Sequence, residues 1–301
     1  MRLKSVILIG VGTCGVAGIL WFFSVPSPPF ASDDRRFDGS GSVAKGRIVF
    51  AAGDCASCHS TPGQSDRLKL GGGMALASPF GTFRPPNISP DPVDGIGAWS
   101  AVDLANALIG GVSPRHTHYY PALPYTSFNS MTIADLNDLY AYLRTLRKVT
   151  GRAPQHDPAI LSAARRLVGF WKLLFLRDDR WKRNGDVVHD RGAYLVESVA
   201  HCAECHSTRN VFGAIRPETR FAGGIDPQGT GFVPNITQER LSGWSENDLV
   251  EMLKTGKTPD HGQVGSSMVD VVTNTAMLSQ SDRVAIARYI KTLPPVPTPH
   301  P

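Results

Sequence analysis

Cys55-Ala56-Ser57-Cys58-His59 and Cys202-Ala203-Glu204-Cys205-His206 are the two stretches that decide how this chain is built. A C-x-x-C-H pentad has the spacing of c-type haem attachment. Its two thiols add across the vinyl groups of one haem, the dipeptide between them matches that separation, and the adjacent imidazole lies beneath the iron as an axial ligand. Other uses of paired cysteines fit less well. A thioredoxin-like C-x-x-C needs a βαβ setting and no following histidine. A four-cysteine zinc site would give neither His59 nor His206 a reason to recur, and a structural disulfide has no need of the pentad twice. The spacing therefore predicts two covalently bound haem c groups, held by Cys55 and Cys58 and by Cys202 and Cys205, with His59 and His206 on the irons.

Working outward, the residues around the pentads repeat as well. A glycine-led amphipathic segment precedes each one, Gly46-Arg47-Ile48-Val49-Phe50 and Gly192-Ala193-Tyr194-Leu195-Val196, so each pentad should follow an N-terminal helix. Pro86-Asn87-Ile88 and Pro234-Asn235-Ile236 follow, then Trp99-Ser100 and Trp244-Ser245. Ser100 and Ser245 are candidate N-caps for helices over Val102–Leu108 and Asp248–Leu253. Closing helices start after Thr132 and Ser279, each with an acid three residues on (Asp135, Asp282), which has the form of a capping box. Three helices around one haem make a small α domain, and the haem replaces much of the core that about 100 residues could not supply alone.

The sixth ligand separates the two halves. In the second, Met268 lies among small residues, Gly265-Ser266-Ser267-Met268-Val269, and is the expected thioether ligand. In the first, alignment of the closing helices places Leu123 opposite Met268, and leucine has no lone pair for iron. Met74, His116, His118 and Met131 are nearby candidates, or the position is open; His118 has a further possible use on a haem propionate.

The chain has 301 residues, 42% hydrophobic and 19% charged, which suits about two folded domains and argues against disorder. The fifth cysteine, Cys14, sits in an apolar run from Val6 to Val25 behind Met1-Arg2-Leu3-Lys4. That run is long enough to span a bilayer as a helix, and no A-x-A triplet closes it for cleavage. The positive N-terminus predicts an inner-membrane anchor with everything after Pro26 exported to the periplasm; a cleaved signal is the alternative. The net charge of +5 comes without a Lys/Arg run, so nucleic acid is not an expected partner. Between the modules, Leu161 to Leu176 reads as an amphipathic helix that packs the two domains together, with membrane-surface contact as its second possible use.

With these residues in view, the chain resembles the cytochrome c subunits of membrane-bound bacterial alcohol, gluconate and related dehydrogenases. The resemblance covers nearly everything after residue 43 and rests on Ala77-Ser78-Pro79-Phe80-Gly81-Thr82, Asn87-Ile88-Ser89-Pro90-Asp91-Pro92, Gly95-Ile96-Gly97-Ala98-Trp99-Ser100, Leu139-Tyr140-Ala141-Tyr142-Leu143 and Trp171-Lys172-Leu173-Leu174-Phe175. Two departures stand out: two haem modules where the family usually has three, and Leu123 where it commonly has methionine. The resemblance implies an all-α fold of two tandem class I cytochrome c domains, each a small helical bundle around a covalent haem, after an N-terminal transmembrane helix. The expected layout is an anchor or signal over 1–25, a linker over 26–42, domain 1 over 43–149, a connector over 150–188, domain 2 over 189–296 and a tail over 297–301. The expected function is electron transfer from a periplasmic or membrane-bound dehydrogenase to a quinone, a cytochrome or a terminal oxidase. Leu123 keeps an alternative alive: a dihaem peroxidase-like oxidoreductase using an open first haem. No nucleophile–base pair argues for other catalysis.

Overall fold

The computed structural model describes residues 21–299 with the exception of 23, 159–161, 178–182 and 227–230. The expected anchor over 1–25 thus lies almost wholly outside the described residues. Among those described, no helix is long and apolar enough to cross a membrane.

The sequence repeat is a backbone repeat. In the first half, α1 (Val43–Ala52) runs into α2 (Cys55–His59), and α3 (Ala101–Gly110), α4 (Tyr125–Phe128) and α5 (Ile133–Thr145) follow. The connector carries α6 (Val168–Phe175). In the second half, α7 (Val187–Tyr194) continues into a π-helical turn, Leu195–Val199, and the pentad opens with a 3₁₀ turn, Cys202–Glu204. Then come α8 (Gln238–Leu241), α9 (Glu246–Thr255), α10 (Met268–Thr275) and α11 (Gln280–Thr292).

Two glycines set the helix crossings. A Cβ on Gly46 would sit 1.8 Å from the carbonyl oxygen of Asp138, and one on Gly192 would sit 2.0 Å from that of Ala285. The first helix of each half therefore touches the closing helix backbone to backbone, which only glycine permits. Buried residues from both halves, among them Phe50, Leu136 and Tyr142 with Val196, Leu249 and Ile286, form one continuous apolar cluster.

The caps follow the expected residues, with one difference. Ser100 and Ser245 make complete capping boxes with Asp103 and Asp248. Thr132 and Ser279 accept from the amides of Asp135 and Asp282, but the two carboxylates serve elsewhere: Asp135 accepts from the Tyr194 hydroxyl, and Asp282 from Arg191 Nε at 2.8 Å. An acid at this position has a choice of partners, and tertiary contacts took it.

The class I cytochrome c character holds, but the fold is not purely α. β1 (Leu76–Ser78), β2 (Gly81–Phe83) and β3 (Asp157–Pro158) form a small antiparallel sheet, with Leu76 opposite Phe83 and Thr82 opposite Asp157. β4 (Gly224–Ile225) and β5 (Phe232–Val233) pair in the second half. β1 with β2 and β4 with β5 pair locally, β3 joins β2 from the connector, and all are too short to register as alternation in the sequence. The connector also departs from one continuous helix: a 3₁₀ stretch, Ser162–Leu167, precedes α6, and Leu161 lies outside the described residues. The tighter stretch carries Arg165 over the Tyr120 ring and Arg166 over that of Trp21.

Candidate haem-attachment sites

Each pentad is presented by a backbone reversal. Asp54 and His201, the residues just before Cys55 and Cys202, are both left-handed, with φ 52° and 41°. The chain then turns through the two cysteines in a single helical turn, which puts both thiols and the following imidazole on one side.

The histidines are held the same way. His59 Nδ1–H donates to the Pro86 carbonyl at 2.8 Å, and His206 Nδ1–H to the Pro234 carbonyl at 2.7 Å. Burial holds both imidazoles below the usual histidine range, so they are neutral near pH 7. A neutral ring with Nδ1 protonated and pinned presents the Nε2 lone pair in one direction, the preparation an axial ligand needs. The Pro-Asn-Ile triplets are thus the proximal supports. Their asparagines brace them in turn: Asn87 Nδ2 donates to the Val149 carbonyl at 2.6 Å, and Asn235 Nδ2 to that of Val296 at 2.8 Å.

Burial pushes the thiols of Cys55, Cys58 and Cys202 up to about 12 and that of Cys205 up to about 11. These are apolar, protonated thiols rather than thiolates awaiting a metal. No three His, Cys, Asp or Glu side chains converge as a metal-ion site among the described residues. Cys55 instead faces an apolar cavity lined by Val49, Leu108, Phe128, Met131, Leu139 and, from the second half, Val199. An apolar wall beside a thiol, with a fixed imidazole four residues on, fits a covalent haem.

The candidate sixth ligands separate clearly. Met268 is half-buried and opens α10, behind Ser266, which is left-handed at φ 52° and donates to Asp226 at 3.2 Å. Leu123 is half-buried in the turn before α4 and packs on the core. Their equivalence has structural support. Gly111 and Gly256 both end their helices left-handed, and isolated bridges pair Val112 with His118 and Lys257 with Gln263. His116 and His261 both sit left-handed and exposed at the tips of those bridges. All these pairs keep one spacing, and Leu123 and Met268 fall on it. His116 is therefore a turn residue, since histidine is one of the few side chains that tolerates this conformation.

His118 already has partners on both ring nitrogens. Its Nε2–H donates to the Ser24 carbonyl at 3.1 Å, and its Nδ1 accepts from Lys172 Nζ at 2.9 Å. Burial and the adjacent lysine push it down to about 4, so it stays neutral and can accept. Met131 is core packing on the cavity wall beside Cys55, and Met74 is half-buried in the loop before β1.

Several site residues carry no motif. Glu204, within the second spacer, accepts from Arg209 Nη2 at 2.7 Å and from Ser127 Oγ of the first half at 2.8 Å. Burial pushes its carboxyl up, and Arg209 with Ser127 more than reverses this, to about 2. His201 places Nε2 3.3 Å from the Gly53 carbonyl and sets its ring edge-on to Phe128. Asp54 accepts from Ser57 and from Asn274 of the other half. Arg67, beside the first pentad, pairs with Asp270 on α10 and donates to Ser57 Oγ at 3.0 Å. The two attachment loops thus meet at the seam between the halves. A carboxylate in a pentad spacer is the one signal of this seam that the sequence carries.

The sequence model of the cytochrome c family matches residues 43–147. A dihaem c-type cytochrome of Cereibacter sphaeroides is 45% identical over 288 residues, covering 94% of this chain and 95% of that protein. A nicotinate dehydrogenase subunit of Pseudomonas putida is 38% identical over 261 residues, 85% of this chain and 22% of that protein. The fructose dehydrogenase cytochrome subunit of Gluconobacter japonicus is 34% identical over 262 residues, 84% of this chain and 53% of that protein. The chain spans nearly all of the first relative and about half or less of the other two. With two matching pentads, two pinned imidazoles and a relative aligned almost end to end, the chain belongs to the dihaem c-type cytochromes, electron-transfer proteins with two covalently bound haem c groups.

Proposed function

We propose that this cytochrome takes electrons from a dehydrogenase subunit and passes them to the respiratory chain at the periplasmic face of the inner membrane. Haem supplies the one-electron chemistry, and the chain's residues bind, orient and bury it. Cys55 and Cys58 hold the first group, and Cys202 and Cys205 the second. His59 and His206 are the proximal ligands, and Met268 is the sixth ligand of the second iron. The observation that carries the reading is the meeting of the two attachment loops, where Ser127 and His201 reach across to Glu204 and the Gly53 carbonyl. Electrons then cross between halves inside one packed body. The dehydrogenase names of two relatives support a dehydrogenase donor. The acceptor is a quinone, a second cytochrome or a terminal oxidase. The run from Val6 to Val25 supports retention as a membrane anchor.

Mass spectrometry of denatured protein, made alongside a haem-attachment system, tests the cofactor assignment. Two haem additions are expected. Replacing Cys55 and Cys58 by alanine should remove one, and replacing Cys202 and Cys205 the other. Zero or one addition in the parent protein overturns it. Fractionation of the native host tests location: a product beginning near Ser32 in the soluble periplasm overturns the anchor. Leu123 supports one second reading, an open first haem with peroxidase-like reactivity, which turnover of hydrogen peroxide separates from electron transfer alone.

A further inference from the structure

The connector between the haem modules carries exposed apolar side chains. Leu167, Leu173 and Leu174 of the connector are 61%, 60% and 61% exposed. This is no frayed segment, because Trp171 and Lys172 of α6 tie it to both halves. Trp171 sets its ring edge-on to Tyr125 of the first half and donates Nε1–H to the Phe212 carbonyl of the second at 2.9 Å. Lys172 Nζ donates to the Gly110 and Gly111 carbonyls at 2.6 and 2.8 Å, at the end of α3.

The N-terminal apolar run ends against the same segment. The Arg166 guanidinium lies 3.6 Å from the Trp21 ring centroid, and its Nε donates to Ser24 Oγ at 3.3 Å. Ser24 is fixed again by its carbonyl on His118. Trp21 and Phe22 are themselves 62% and 73% exposed. The connector thus carries exposed leucines and two arginines, and one of these, Arg166, holds the exposed Trp21 near the end of the apolar run.

We propose that this strip — Leu167, Leu173, Leu174, Trp21 and Phe22 — lies in the interface of an anionic lipid bilayer, with α6 parallel to the membrane plane. The inference rests on the membrane anchoring proposed above and goes beyond it. The anchor tethers the haem modules to the bilayer, and α6 in the interface sets their orientation. Three features select lipid over a protein partner. Trp21, near the end of the apolar run, is held by Arg166 of the connector. Tryptophan and arginine at its edge are the residues that favour the headgroup level. A short helix with leucines on one side and cations beside it binds anionic interfaces by combined burial and charge.

The test uses the full-length holoprotein in nanodiscs of phosphatidylglycerol and phosphatidylcholine. Cys14→Ser leaves no free thiol beyond those bound to haem, so a nitroxide can be placed at Leu173→Cys, or at Val93→Cys as a control. Val93 is 70% exposed in the first half. Power-saturation spectroscopy then compares collisions with lipid-soluble oxygen and with an aqueous nickel chelate. The expected result is a several-fold oxygen preference at 173 and a nickel preference at 93. If the protein stays with the nanodisc but 173 behaves like 93, the inference is overturned and the anchor stands. If 173 is shielded from both probes, a protein covers the strip and the inference is likewise overturned. If the native chain proves to be processed and soluble, the anchor fails. Binding of that processed form to phosphatidylglycerol vesicles, lost in Leu173→Ser/Leu174→Ser, would then support the lipid face alone, and absence of binding would overturn it.

Discussion

Asp54 and His201 stand at the same position in the two modules, each left-handed just ahead of a first cysteine, and they face one another across the seam between the halves. Asp54 is buried there and accepts from Ser57 and Asn274, with Arg67 and Asp270 paired close by. Burial holds its carboxyl above the ordinary carboxylate range despite these donors and the nearby His201. A carboxyl that charges only above the usual pH gains its negative charge next to Cys55 as pH rises.

That charge stabilises the ferric state, so the midpoint potential of the first haem should fall as pH rises through the raised Asp54 pKa. Asp54→Asn should leave a higher and flatter potential over the same range. Spectropotentiometric titration from pH 4 to pH 8 reads both. An unchanged slope in Asp54→Asn would show that the charge lies elsewhere. The stability sign agrees: an acid with a raised folded pKa loses folded-state stability as pH climbs above its unfolded value of 3.8, so the asparagine variant should be no less stable at neutral pH.

Glu204 behaves in the opposite sense. Its folded pKa of about 2 lies below the unfolded 4.5, so its contribution is present above pH 4.5 and lost as pH falls towards 2. The contribution at neutral pH is on the order of 3 kcal/mol. Glu204→Gln should lower the unfolding temperature of the holoprotein at pH 7 and weaken the acid dependence between pH 4.5 and 2, because Arg209 and Ser127 lose a charged acceptor. Thermal unfolding at several pH values checks this, and parallel curves for parent and variant would contradict it.

Gly46 and Gly192 should be intolerant of even a methyl group. A Cβ at either position would fall within about 2 Å of a carbonyl oxygen on the closing helix, and a backbone cannot yield as a flexible side chain can. Gly46→Ala and Gly192→Ala should each cost about 3 kcal/mol or more by forcing helices apart. Haem-stained gels of periplasmic or membrane fractions should show sharply reduced holoprotein. Gly243→Ala, where no heavy atom lies within 4 Å of the added carbon, is the control and should accumulate normally.

What the sequence reveals here is what is local. The pentads and the Ser100 and Ser245 caps act within one or two turns, so spacing alone exposes them. The proximal supports do not show that way. The carbonyls of Pro86 and Pro234 serve histidines 27 and 28 residues away, and any residue type offers a carbonyl. His118 illustrates the converse error: a histidine at a plausible distance from the pentad is committed to Ser24 and Lys172, residues whose proximity only the tertiary fold creates. His116 repeats in sequence as His261 for a backbone reason and not a ligand one. The seam between the halves, with Asp54, His201 and Glu204, consists of unlike partners from unlike modules, so internal repetition conceals it.

Leu123 and Met268 give the sharpest test of how far the two halves have diverged. Both fall on the spacing that pairs Gly111 with Gly256 and His116 with His261, so both should face the distal side of their irons. Thioether ligation raises the potential and keeps iron low-spin, whereas an aliphatic chain leaves the position open or to another group. Met268→Ala should therefore remove the thioether–iron band at the red end of the ferric spectrum and lower the potential of one haem, leaving the other unmoved. Leu123→Ala should leave that band intact, while Leu123→Met should add a second and raise the first haem's potential. Carbon monoxide should perturb one haem per molecule in the reduced parent, two in Met268→Ala and none in Leu123→Met. Two methionine bands in the parent, with no carbon monoxide binding, would mean that Met74 or Met131 reaches the first iron, and the peroxidase-like reading would then lose its support.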